Sequence, residues 1–186
     1  MKAKINENRP LAWIVLAIVV VLSIIFSGGG ALRDVRAQAL DVFHYGVNGD
    51  SLCIYSDLMA RVDCAYNLAD TAARYDSIAQ ESIDKVNEAA EELDKTNDSD
   101  IAALNAADDA LDRAVESLYT EMENASLSDT DATFALSQYK EFTSRALTIS
   151  RDGYNGYAEA FNEMLGAFPA SIVGMMSGVR QLPLFR

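Results

Sequence analysis

The apolar positions fall into two regimes. From Leu11 to Phe26 they are continuous, LAWIVLAIVVVLSIIF, sixteen residues with no charge and only Ser23 polar, and the uncharged stretch runs through Gly28-Gly29-Gly30 to Leu32. At 1.5 Å per residue this covers the roughly 30 Å hydrocarbon core of a bilayer, so the segment predicts a single transmembrane helix. Beyond it, apolar residues recur at helical spacing. Ala31 to Phe43 reads as a short helix, closed by the turn-forming run Gly46-Val47-Asn48-Gly49-Asp50, and Asp50 or Ser51 is the expected cap of the next helix. From Leu58, small or apolar residues stand at 58, 62, 65, 69 and 72, then 79, 83, 86, 90 and 93, a four-three alternation broken only at Asp76. That stripe predicts one long helix. Asn97-Asp98-Ser99-Asp100 separates it from a third, carrying Ile101, Leu104, Leu111, Val115, Leu118 and Met122, with Asp108 intruding. Ser128-x-x-Asp131 resembles a capping box and opens a fourth, from about Asp129 to Phe168. Its expected seam is Ala135, Tyr139, Phe142, Ala146, Ile149, Gly153, Tyr157, Phe161, Met164 and Phe168.

No alternating run of strand type appears, so the predicted class is all-α: an N-terminal single transmembrane helix followed by an antiparallel bundle of three long helices plus a short first helix. The expected division is a basic tail over 1–10, the transmembrane helix and a flexible triglycine hinge over 11–30, the bundle over 31–168, and an apolar tail over 169–186. Pro169 stops the last helix, having no amide to donate. The Met-rich run behind it reads either as a flap closing one end of the bundle or as a docking surface, for a partner or for the membrane, built on Ile172, Met175, Met176, Leu182 and Phe185.

Charge narrows the partners. The net charge is −13, and beyond residue 27 there are 12 basic residues against 27 acidic ones. Such a body lacks the basic face that nucleic acid requires and is repelled by anionic lipid surfaces. Lys2, Lys4 and Arg9 precede the apolar segment while Arg33 and Arg36 follow it. That balance places the chain in the cell membrane with the amino terminus inside and the bundle outside. The reverse orientation stays open, as does cleavage after Gly29-x-Ala31 in the manner of a signal peptide.

Chemistry is sparse. With one histidine, His44, the chain cannot supply the paired Glu-x-x-His motifs of a di-iron bundle, and Cys53, Cys64 and His44 lack the spacing of a zinc site. On one continuous helix the two cysteines would stand about 16 Å apart, beyond the reach of a disulfide, so they read as free buried thiols. Asp98-x-Asp100 and Asp129-x-Asp131 read as helix caps, without the Gly and Glu of a calcium loop. No catalysis, cofactor or metal is expected.

Two stretches resemble a known family. Arg61-Val62-Asp63-Cys64-Ala65-Tyr66-Asn67-Leu68, followed by Thr71, Tyr75, Glu81 and Val86, is similar to the Arg-x-Asp-Leu-Ile-Pro-Asn-Leu segment of the LemA family and its continuation. Arg151-Asp152-Gly153-Tyr154-Asn155, Phe161-Asn162 and Phe168-Pro169 resemble that family's carboxy-terminal signature. The resemblance covers about residues 55–186, with Ala65 and Tyr66 standing where the family has Ile and Pro. It implies a bacterial, membrane-anchored antiparallel helical bundle with no established enzymatic activity.

The matched polar residues also have a physical reading. Asn155 and Asn162 lie two helical turns apart on one side of the predicted fourth helix, where a side-chain amide can bond another helix or a backbone carbonyl, and Asn67 is expected to face them. Arg61 and Arg151 are expected to pair with carboxylates of neighbouring helices. Together they read as a polar set that fixes helix register, or as a ligand-binding group. The expected function is a protein-interaction or scaffold module; the alternative is a sensory or ligand-binding helical ectodomain for a small molecule or cation.

Overall fold

The computed structural model describes residues 9–186, and Lys2 and Lys4 lie outside them, as does the side chain of Arg9. Among the described residues there is no strand; the elements are α1 (Arg9–Tyr45), α2 (Ile54–Ala72), α3 (Gln80–Lys95), α4 (Ile101–Asn124), α5 (Asp129–Ser150), α6 (Tyr154–Gly166) and α7 (Ala170–Ser177). The all-α class and the antiparallel bundle stand; the division into helices differs at three places.

The first difference is α1, a single helix of 37 residues that passes through Gly28-Gly29-Gly30 without a break, so there is neither a hinge nor a separate short helix. Gly28 and Gly29 serve close packing instead. A Cβ on Gly29 would sit 2.6 Å from the Cβ of Ser177, and one on Gly28 would sit 3.1 Å from Val173 Cγ1. The second lies between α2 and α3, where the predicted stripe breaks beside Asp76. Ile78 is buried in place of Ala79, which becomes the N-cap of α3, and the predicted seam resumes at Ile83, Val86, Ala90 and Leu93. The third lies at Arg151-Asp152-Gly153, where the predicted fourth helix ends and a new one begins. Asp152 Oδ1 accepts the Tyr154 amide at 2.8 Å, and of the predicted Tyr157, Phe161, Met164 and Phe168 only Phe161 is buried, together with Tyr154, Ala158 and Leu165. Cys53, not Asp50 or Ser51, caps α2, its sulfur accepting from the Ser56 amide. Asp100 and Ser128 cap α4 and α5 as their spacing indicates.

The described chain packs as two units, one taking residues 9–39 with Ala158–Leu182, the other Leu40–Tyr157 with Pro183–Arg186. The second contains a four-helix bundle of α2 to α5. Asp57, Asn67 and Arg74 meet Arg145, Gln138 and Asp131 respectively, a descending register that makes α2 and α5 antiparallel. Ser82, early in α3, donates to Glu121, late in α4, at 2.5 Å, and Tyr119 of α4 stacks on Tyr139 of α5 with centroids 3.9 Å apart. Short connections and these pairings give up-down-up-down order. Its core is the predicted one over α2 and α4, Leu58, Val62, Ala65 and Ala69 against Leu104, Leu111, Val115 and Leu118, with Leu68 added.

In the first unit, α1 exposes its apolar side chains from Trp13 to Phe26, with Ile25 half-buried. Ser23, the one polar residue among them, donates to the Val19 carbonyl of its own helix at 2.8 Å. α7 ends at Gly178, whose φ of 71° suits the left-handed cap that returns an amide to Gly174 O.

Candidate functional site

Arg61 projects from the buried side of α2 and is 2 % exposed. Its Nη1 donates to both carboxylate oxygens of Asp108 on α4, at 2.6 and 2.5 Å, and its Nη2 donates to Asp112 one turn further. The guanidinium carbon lies 4.1 Å from the centre of the Phe142 ring on α5. Nε is buried without a hydrogen-bond partner. Burial pushes the Asp108 carboxyl up to about 6, against the pull of the Arg61 charge, and Asp112 and Asp109 nearby push the same way as burial. The expected pairing of Arg61 with a carboxylate of a neighbouring helix is thus present, and it joins α2, α4 and α5.

The three asparagines are not brought together. Asn67 is exposed and its Nδ2 donates to Gln138 of α5 at 2.9 Å, instead of facing Asn155 and Asn162. Those two use both ends of their amides on main chain. In the second unit, Asn155 Nδ2 donates to the Phe185 carbonyl at 2.7 Å while the Phe185 amide donates back to Oδ1 at 2.9 Å. In the first unit, Asn162 and Leu182 make the same reciprocal pair, both bonds 2.8 Å. A primary amide matches an extended peptide's donor and acceptor in this way, so each asparagine holds a residue without reading its side chain. The Tyr154 hydroxyl adds a bond to the Pro183 carbonyl at 2.8 Å, and Asn105 Oδ1 accepts the Arg186 amide at 2.7 Å.

Arg151 is exposed and, among the described residues, makes no ion pair, contrary to expectation. As the residue after α5 it sits where its side chain extends from the helix end rather than into a seam. It lines a cleft of about 520 Å³ together with Val47, Asp50, Asp57, Leu147 and Asp152. Asp57 is held there by Arg145 Nη1 at 2.9 Å. Burial raises the Asp152 carboxyl, the Tyr154 amide opposes that, and the charge of Asp57 reinforces it.

The expected docking residues divide. Ile172, Met175 and Met176 are exposed on α7, whereas Leu182 and Phe185 are buried, Phe185 with its ring 5.7 Å from that of Phe43. Cys53 and Cys64 are free and buried, and burial pushes both thiols up, keeping them protonated and poorly nucleophilic. His44 packs edge-on to Phe43, ring centres 5.3 Å apart.

Sequence reasoning passed over Asp108, Asp112, Asp57 and Arg145. Asp108 carried a usable signal, since a carboxylate on an otherwise apolar seam requires a buried cation opposite, and Arg61 flanks the matching seam of α2.

A family model described as the LemA family matches residues 53–186. No curated protein and no solved structure matches the chain.

Proposed function

The chain belongs to the LemA family, and on that premise we propose that it is a single-pass membrane protein whose acidic four-helix bundle presents a surface to another protein and carries out no chemistry of its own. The observation that carries this reading is the run of exposed apolar side chains on α1 from Trp13 to Phe26, which water would not tolerate at this length but a bilayer would cover. Inside the fold, Arg61, Asn155 and Asn162 are engaged by internal partners, which suits structural roles. Asp84, Glu88 and Glu92 stand exposed at four-residue spacing along α3, and Asp109 and Glu116 are exposed on α4, acidic surface suited to a basic protein partner. With three basic residues before the apolar segment and two after it, the bundle belongs outside and the amino terminus inside.

Site-directed photocrosslinking in intact membranes tests the interaction role. A photoreactive residue at Glu88 should give one discrete adduct whose yield falls sharply with Glu92→Lys. Silence at positions 84, 88, 92 and 116 would count against it.

The cleft beside Arg151 favours a second reading, a ligand-binding ectodomain, because its volume lies in the range of small-molecule sites and it combines a free guanidinium with Asp57 and Asp152. A ligand of that site should raise the unfolding temperature of the full chain across a metabolite and cation panel and lose the effect with Arg151→Ala. A uniformly flat panel removes this reading.

A further inference from the structure

We propose that the α6–α7 turn enters the bilayer beside α1, with Phe168 at its tip and Ile172, Met175 and Met176 on the lipid-facing side of α7; this rests on α1 being a membrane span. Within the first unit, α7 runs alongside α1 in the same direction. Val173 packs at Gly28, Ser177 at Gly29, Arg33 Nη2 donates to the Ser177 carbonyl at 2.7 Å, and Arg36 Nε donates to the Arg180 carbonyl at 3.3 Å. Following that register backwards from Val173 to Phe168 moves about 7 Å towards the apolar segment of α1, to roughly the level of Ile24. The tip therefore stands level with side chains that the bilayer would cover.

Its composition matches that depth. No charged residue occurs between Glu163 and Arg180. Phe168 is 82 % exposed and Met175 78 %, while Ile172, Met175 and Met176 fall at one-turn spacing on a single face. The opposite face is consumed by packing, since a Cβ on Gly174 would sit 2.4 Å from Leu165. The Ser177 hydroxyl donates to the Val173 carbonyl of its own helix at 2.7 Å, as Ser23 donates to Val19 on α1, so neither of these two hydroxyls needs a water to take its proton. At the other end of α7, Arg33, Arg36 and Arg180 gather where the chain leaves the apolar zone, the position of headgroup phosphates. An exposed aromatic and two exposed methionines continuous with a membrane helix fit acyl chains as their cover.

The test uses the native single tryptophan, Trp13. The full chain is placed in phosphatidylcholine–phosphatidylglycerol vesicles with acyl-brominated lipid as quencher. Trp13 reports the anchor. In a Trp13→Phe background, Phe168→Trp and, separately, Met175→Trp report the tip, and Ser137→Trp on α5 reports an aqueous position. The expected result is that Trp at 168 and 175 loses most of its emission, as Trp13 does, while Trp at 137 keeps it. Strong quenching of Trp13 with none at 168 or 175 overturns the proposal and leaves the anchor intact. No quenching of Trp13 overturns the anchor, and the proposal with it.

Discussion

Arg61 of α2 and Asp108 of α4 meet at 2.5 Å inside the bundle, and the same guanidinium covers the Phe142 ring of α5 at 4.1 Å. One buried cation thus joins three of the four helices and fixes how they slide against each other. Its cost is a desolvated Nε and a carboxyl held near neutrality.

Removing one partner leaves the other uncompensated. Arg61→Met or Asp108→Leu alone should each destabilise the chain by about 3–5 kcal/mol, whereas the double variant should recover most of that loss. Urea unfolding of the four proteins in a double-mutant cycle gives the coupling directly. Additive losses would mean that the pair does not act as a unit.

Asp108 also sets a pH dependence. Its carboxyl is raised from 3.8 to about 6, chiefly by burial, so the folded chain holds that proton more tightly than the unfolded one. Acidification from pH 7 to about 4 therefore favours folding at this residue, by up to about 3 kcal/mol, and the gain is withdrawn as pH rises through about 6. Asp131 acts oppositely: the hydrogen bond from Tyr75 and that from Ser128 hold its carboxyl below the usual range, so its contribution is lost as pH falls towards that lowered value. The difference between wild type and Asp108→Asn across pH 4 to 7 isolates the first effect.

The triglycine separates packing from flexibility. A Cβ on Gly30 would meet nothing within 4 Å, so Gly30→Ala should stabilise α1 by up to about 1 kcal/mol. Gly29→Ala forces the Ser177 Cβ aside and should loosen α7, seen as faster proteolysis near Ser177. A functional hinge would predict the reverse ranking, with Gly30→Ala harmful.

Asn155→Asp deletes the donor to the Phe185 carbonyl and places a charge beside it, which should cost about 1–3 kcal/mol and speed exchange of the Phe185 amide. Asn67→Ala, at an exposed position, should stay within about 0.5 kcal/mol. Equal effects at the two positions would remove the distinction between the main-chain clamp and the surface bond.

Periodicity made the helices of the bundle and the cores of α2 and α4 legible, because burial on one face imposes that spacing. It did not show where the two long stripes break. Asp76 and the Arg151-Asp152-Gly153 run mark both places, yet a stripe that resumes in phase after a turn, as at Ile83 and Val86, looks continuous on paper. The partners of Arg61 were half-legible: Arg61 stood out and Asp108 looked intrusive, but matching them requires the register between α2 and α4. Asn155 and Asn162 were legible as amides that bond a backbone carbonyl, but which carbonyl was not, since a side-chain amide that binds main chain leaves no complementary residue in the sequence to find, and Asn67 faces Gln138 instead of them.

The claim on which the account depends is that α1 remains on the chain as its membrane anchor. Its most direct test is the intact mass of the protein recovered from alkaline carbonate-washed membranes. The account predicts the full chain, with Leu11 to Phe26 present, in the membrane pellet. A product lacking its first thirty residues, recovered in the soluble fraction, would contradict it.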